Sequence, residues 1–321
     1  MDNKKFHKTS VGGQALIEGI MMRGPKGIAT AVRNPKQEIV VDYHDFAKPL
    51  PKIAKVPIIR GVVSFVQSMI IGYKCLMHSA DVSGMDDVEE EELGKFDKWL
   101  LDKFGDKLMN FIMILGSVLG IALAFVIFFY LPVLVFNLLN SATDGALTVW
   151  QGALESAMKI IIFVAYIAIV ARMKDIRRTF MYHGAEHKTI TCYERGEELT
   201  VENVRRQCRF HPRCGTSFIF VMLILSIFIS TPLSLLLPQI AENRILWMLV
   251  KLLILPLIMG IGYEFIKYAG RHDNLFVKIL SAPGLWMQRL TTKEPDDSMI
   301  EVGIAAFKAV ITDNPEDDEI K

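Results

Sequence analysis

Apolar positions in this chain fall into long runs, not into the short alternations of a soluble core. Four runs reach the roughly 20 residues a helix needs to cross a bilayer core. They are NFIMILGSVLGIALAFVIFFYLPVLVFNLL (110–139), the stretch 153–171 with KIIIFVAYIAIVA, SFIFVMLILSIFISTPLSLLLP (217–238) and ILWMLVKLLILPLIMGIGY (245–263). Pro132, Pro232 and Pro256 predict kinks that neighbouring helices can absorb. The pattern therefore predicts a predominantly α membrane protein with four transmembrane helices.

Outside the runs the period changes. IATAVRNP and KQEIVVDYH alternate apolar and polar residues around an Asn-Pro turn, which predicts a β-hairpin within a small N-terminal sheet. Residues 57–80 hold a 13-residue apolar core between Arg60 and Lys74, too short to span. An amphipathic interfacial or re-entrant helix is preferred there over a soluble core helix. LFVKILSAPGLWMQRL and SMIEVGIAAFKAVI have helical period, with KEPDD between them as turn and N-terminal cap. The tail DNPEDDEIK reads as frayed. The resulting plan is a Gly-rich segment and hairpin (1–56), the amphipathic helix (57–80), an acidic linker with a short helix (81–109), spans 1 and 2 (110–172), a basic loop (173–216), spans 3 and 4 (217–263) and C-terminal helices (264–321).

Charge orients this plan. The 173–216 connection carries nine Lys and Arg, the 140–152 connection none, and 239–244 only Arg244. The positive-inside rule then puts the basic loop and both termini in the cytoplasm. Composition agrees with a membrane class: 51% of the 321 residues are hydrophobic and 22% charged. The four cysteines have no paired spacing and predict no disulfide framework. MDNKKFHKTSVGGQ lacks an apolar stretch, so no cleavable signal peptide is expected. Nothing points to nucleic acid; the expected partners are the lipid bilayer and a membrane-borne substrate or membrane protein.

The candidate chemistry sits mostly in the basic connection. MYHGAEHKTITCYERG spells H-x-x-E-H with His183, Glu186 and His187. On a helix, i and i+4 histidines share a face and can share a metal, and Glu186 at i+3 can take a proton from water there. The alternative is a His pair that merely hydrogen-bonds backbone or headgroups; Gly184 and the β-branched Thr189, Ile190 and Thr191 weaken a helix. RQCRFHPRCGTSF adds Cys208, His211 and Cys214, residue types that bind zinc, or else small buried fillers and a turn cap. The preferred reading is one site, zinc or another divalent metal, on His183, His187 and one or both of His211 and Cys214. A full protein shell would make it structural; an open position would permit catalysis with Glu186.

Three further features are weaker. SVGGQALIEGIMMRGPKG (10–27) has five glycines and little period; Glu18 is a candidate ligand or base and Arg23 a candidate anion contact. The competing reading makes this segment a glycine-rich entry to the hairpin with Met21 and Met22 as core. Lys251 interrupts the fourth span, an intramembrane charge that is either functional or snorkelling. Glu264, just after that span, is a candidate late carboxylate ligand.

The blocks GGQALIEGIMMRGP, AVRNP, RGVVSF, YHGAEHKTI, YERGEELTVENV, RFHPRCGTSF and SAPGLWMQRLTTKEPDDSMIEVGIAA resemble the YqhQ-like family across nearly the whole chain. That resemblance implies a multi-pass bacterial membrane protein, labelled as a predicted metal-dependent enzyme, and implies no substrate. Two functions stay open on the sequence. One is a metal-dependent hydrolase acting on a lipid-linked or membrane substrate. The other is a non-catalytic membrane scaffold or transport-related protein in which the metal or the His/Glu cluster is structural.

Overall fold

The computed structural model describes residues 7–44, 56–84, 115–272 and 274–319. The acidic linker with its short helix, and the first residues of the first apolar run, lie outside them. Among the described residues, four helices are long and apolar enough to cross a membrane: α2 (Leu115–Ala142), Thr148–Val170, Phe218–Leu236 and Ile245–Arg271. The second contains α3 (Gln151–Val170), the third lies in α6 (Gly215–Leu236) and the fourth in α8 (Arg244–Arg271). Their apolar side chains point outward, Ile121 72% exposed and Leu253 79%, as only lipid would tolerate. The protein is a membrane protein, and the four sequence runs are these four helices.

The chain divides into two compact units, residues 1–84, 166–225 and 254–321 in one, and 85–165 and 226–253 in the other. The first holds an antiparallel meander: β1 (Gly12–Leu16), β2 (Gly19–Gly24), β3 (Gly27–Arg33) and β4 (Ile39–His44), in that order. The expected hairpin is the β3–β4 pair, with Thr30 opposite Asp42. The Gly-rich segment is β1 and β2, with Met21 and Met22 buried. Its weak period has a physical cause, because both faces of the sheet are covered and polar alternation is lost. Ile20, Met22, Ala29 and Ala31 pack on one face against Tyr182, Ala185, Val302, Ala306 and Phe307. Leu16, Met21 and Ile28 pack on the other against Ile71 and Cys75.

The two covering layers are helical. On the second face lies α1 (Ile59–Val82), which buries Ile71 and Cys75 yet leaves Val66, Met69, Ile70, Tyr73 and Met77 exposed. It is thus a core helix along one stripe and apolar along the opposite one, so it combines features of both sequence readings. The first face is covered by α4 (Lys174–Glu194) and α10 (Asp297–Val310). The basic connection is therefore largely a 21-residue helix and not a loop. Its β-branched residues are overruled by burial: Thr189 and Ile190 are both in the core, and tertiary packing outweighs propensity differences of a few tenths of a kcal/mol. It stops at Gly196 (φ +68°), where the Gly196 N–H bonds Tyr193 O and the Glu197 N–H bonds Cys192 O, the two closing bonds of a Schellman cap.

A short α5 (Val201–Arg205) and α7 (Pro238–Glu242) precede the longer α9 (Leu275–Thr291). The cap expected in KEPDD is Asp296, which accepts from the Met299 N–H at 3.0 Å. The tail is held rather than frayed as far as residue 319. Asp318 is buried, takes a 3.0 Å bond from His7 and also accepts from the Thr9 hydroxyl, while Thr9 bridges Glu319.

Candidate metal centre

The first unit brings α4, the segment before α6 and the end of α9 to one point. His183 and His187 lie one turn apart on α4, with ring centroids 4.4 Å apart. Cys214 ends the turn that leads into α6. One ligand atom from each of these three residues lies within 4.8 Å of the others. Both imidazoles are oriented by backbone: His183 Nδ1 donates to Thr291 O at 2.8 Å and His187 Nδ1 to Arg209 O at 2.6 Å. A carbonyl can only accept, so each Nδ1 carries the proton and each Nε2 offers a lone pair. This arrangement, ligand nitrogen inward and the other N–H on a carbonyl, is how metal-binding histidines are held.

His183 Nε2 is 3.2 Å from Cys214 Sγ, and the same thiol bonds His187. Two imidazole lone pairs and one sulfur thus share a single S–H, so at least one lone pair points into the cluster with no donor. A divalent cation on two imidazoles and a thiolate satisfies all three. Burial holds His187 below the usual imidazole range, partly opposed by its bond to Cys214, which keeps it neutral and able to ligate.

Glu186 lies on the same turn. It is buried, and desolvation lifts its carboxyl to about 7 against the opposing pull of His183 and of a hydrogen bond from the Gly13 N–H. Its Oε2 has no hydrogen-bond partner among the described residues. Gly13 admits this close approach: a Cβ there would fall 3.0 Å from Glu186 Cδ and 2.8 Å from Met22 Sδ.

The other candidates go elsewhere. The His211 ring centroid is 5.6 Å from that of His187, but its Nε2 faces Glu194 at 3.4 Å, so it borders the cluster without completing it. Glu194 also binds Arg213 and the Thr9 N–H; against burial, His211 and Arg213 keep its carboxyl below the usual range. Cys208 is exposed. Glu18, at φ +49° in the β1–β2 turn, is occupied by Arg178 (2.6 Å) and Tyr182 (3.1 Å). Arg23 is exposed on β2 opposite Gly12. Glu264 pairs with Arg60 (Nε to Oε1 2.6 Å) and so ties α8 to the start of α1.

Several supporting residues were not anticipated. Arg209 and Thr291 act through carbonyls, which no side-chain motif can reveal. Glu194 was findable, since it sits seven residues after His187 on the same helical face. Gln288 is fully buried and clasps the peptide of His211, accepting from its N–H at 2.8 Å and donating to its carbonyl at 2.7 Å. Gln288→Leu is expected to cost about 2–4 kcal/mol, because both peptide groups lose a buried partner. Denaturant unfolding of the detergent-solubilised protein would measure it, and a loss under 1 kcal/mol would refute this role.

A family model described as "Protein of unknown function (DUF1385)" matches residues 56–313. The chain is 34% identical over 311 residues to "Uncharacterized protein YqhQ" of Bacillus subtilis (strain 168), covering 94% of this chain and 92% of that protein. No solved structure matches. By extent and identity alike, the chain belongs to the DUF1385 family of YqhQ-like proteins, whose function is unknown.

Proposed function

We propose that this protein is a membrane-embedded, metal-dependent hydrolase centred on His183, His187 and Cys214, with Glu186 as general base. The observation that carries the reading is the proton-poor convergence of the three ligand atoms beside a buried carboxylate with an unpartnered oxygen. Three protein ligands are the number found in catalytic zinc sites, whereas structural sites use four. With His211 turned to Glu194, only three side chains would hold the ion, and solvent or substrate would complete its shell. When bound, zinc or another divalent ion would supply Lewis acidity and make water a better acid. Glu186 accepts the proton, and the Gly13 N–H holds that carboxylate in place. His183 and His187 stay neutral and fixed through their Nδ1 bonds.

The chain places this centre between the ends of two membrane spans, Val170 and Phe218, which favours a lipid-linked or membrane-protein ester, amide or phosphoester. The excess of Lys and Arg in 173–216 supports a cytoplasmic-facing centre, and cytoplasmic termini, in a bacterial inner membrane. A structural clamp is the competing reading, supported by the burial of His187 and Cys214.

The test uses zinc-loaded protein in detergent with p-nitrophenyl butyrate and bis-p-nitrophenyl phosphate. Wild type is expected to turn over at least one of them. Glu186→Gln should keep its zinc and lose on the order of 100-fold or more in rate. Full zinc occupancy with no turnover above the His183→Ala background would overturn the hydrolase and leave the clamp.

A further inference from the structure

The second unit carries chemistry that the metal centre does not use. Glu155 and Lys159 stand one turn apart on α3, and Trp247 and Lys251 one turn apart on α8. Lys251 is ion-paired with Glu155, both side chains buried (8% and 1% exposed), and its Nζ lies 5.1 Å from the Trp247 ring centroid. Gln151 donates to the other oxygen of Glu155 at 2.9 Å. On α6, Ser230 meets Ser156 at 3.5 Å, and a Cβ on Gly152 would fall 2.8 Å from Thr231 Cα. Small residues thus let α3 and α6 pack closely around the pair.

Lys159 is the unresolved charge. It lies 11 residues into the span that begins at Thr148, about 16 Å along a helix of 1.5 Å rise, close to the middle of a core roughly 30 Å thick. Its ammonium makes no ion pair among the described residues and sits 5.6 Å from the ring centroid of Phe129. Phe129 belongs to Val126–Tyr130, a single π-helical turn inside α2, and such turns recur at functional sites. Glu155 and Lys251 are within electrostatic reach of Lys159. Two independent donors are idle as well. Trp247 is 1% exposed, and neither its indole N–H nor the buried Thr231 hydroxyl has a partner among the described residues.

The balance decides what is missing. Two ammonium groups face one carboxylate, and the spare hydrogen-bonding groups include an indole that can only donate. A site for a cation or a proton path would show the opposite excess, of carboxylates and carbonyls. An uncompensated ammonium at this depth costs several kcal/mol, which an anion relieves. We propose that α2, α3 and α8 form an intramembrane binding site for an anionic group, a phosphate diester or carboxylate on a membrane-borne molecule. Lys159 is its principal contact, the Trp247 N–H is a neutral donor, and the Lys251–Glu155 pair is its fixed wall.

Native mass spectrometry of the full-length protein tests this with phosphatidylglycerol, oleate, phosphatidylcholine and inorganic phosphate as probes. Wild type is expected to retain one phosphatidylglycerol or oleate under activation that strips phosphatidylcholine. Lys159→Gln should bind the anionic lipid at least 10-fold more weakly, and Lys159→Arg should stay within 3-fold of wild type. Thermal unfolding without added lipid separates lost binding from misfolding, since Lys159→Gln should unfold no lower than wild type. Displacement of the lipid by millimolar phosphate would identify a free anion as an equivalent ligand and still support the site. Equal retention of phosphatidylglycerol by wild type and Lys159→Gln would overturn it. So would a wild type that retains phosphatidylcholine equally well, or a variant changed only in proton leak across proteoliposomes.

Discussion

Replacing His183 and His187 together by alanine is expected to abolish stoichiometric binding of divalent metal, while wild type copurifies with, or takes up, one ion per chain. The double change deletes two of three convergent ligand atoms, and the thiol that remains cannot hold a metal alone. A drop in affinity on the order of 100-fold or more follows, since disturbing only the outer partners of ligating histidines already costs 10–100-fold. Cobalt substitution sharpens the test. Cobalt-loaded wild type should show a thiolate-to-metal charge-transfer band that Cys214→Ser removes while weaker ligand-field bands persist. Cys208→Ser should leave the band unchanged, because Cys208 is exposed and lies outside the cluster. Elemental analysis that finds no stoichiometric metal in wild type, even after incubation with zinc, would sink the centre and the hydrolase together.

The sequence disclosed some of this architecture and hid the rest for identifiable reasons. The four spans were legible because a bilayer demands about 20 apolar residues whatever the partners are. The β3–β4 hairpin was legible because Asn34-Pro35 breaks two alternating strands. The first hairpin was hidden, since β2 is buried on both faces and β1 opens on two exposed glycines, so neither shows alternation. The helix through His183 was doubtful on propensity, because Gly184 and three β-branched residues argue against it, and it forms through burial against β2 and α10. In the site, the i, i+4 histidines and Cys214 could be named from residue type. The roles of His211, Glu18 and Glu264 could not, because each is settled by a partner more than ten residues away: Glu194, Arg178 and Arg60. Spacing along a helix predicts a shared face, and says nothing about a distant acceptor that captures a ring nitrogen or a carboxylate first.

Gly184→Ala is expected to be the most damaging glycine-to-alanine change among the described residues, although residue type alone argues the reverse. In a helix interior alanine is favoured over glycine by about 1 kcal/mol. At Gly184 the added Cβ would lie far inside contact distance of Lys293 O and 3.4 Å from Pro295 Cδ. The obstacle is backbone and cannot rotate away. It is also anchored, because the Lys293 N–H bonds Phe180 O at 2.8 Å and holds residues 291–295 against α4. Relief requires the two segments to separate, an overpacking cost that typically reaches 1–3 kcal/mol and more for a rigid neighbour. The net expectation is a loss of about 2 kcal/mol or more in unfolding free energy, after the propensity gain is subtracted. The same displacement moves Thr291 O, the acceptor that orients His183, so metal affinity should fall together with stability. Gly12→Ala is the matched control: no atom lies within 4 Å of its Cβ, and a change within about 0.5 kcal/mol is expected. Unfolding of both variants in detergent, with zinc titration of each, gives the comparison. A Gly184→Ala protein as stable as wild type would show that α4 and residues 291–295 are not packed this closely, and with that contact would go the account of how His183 is aimed.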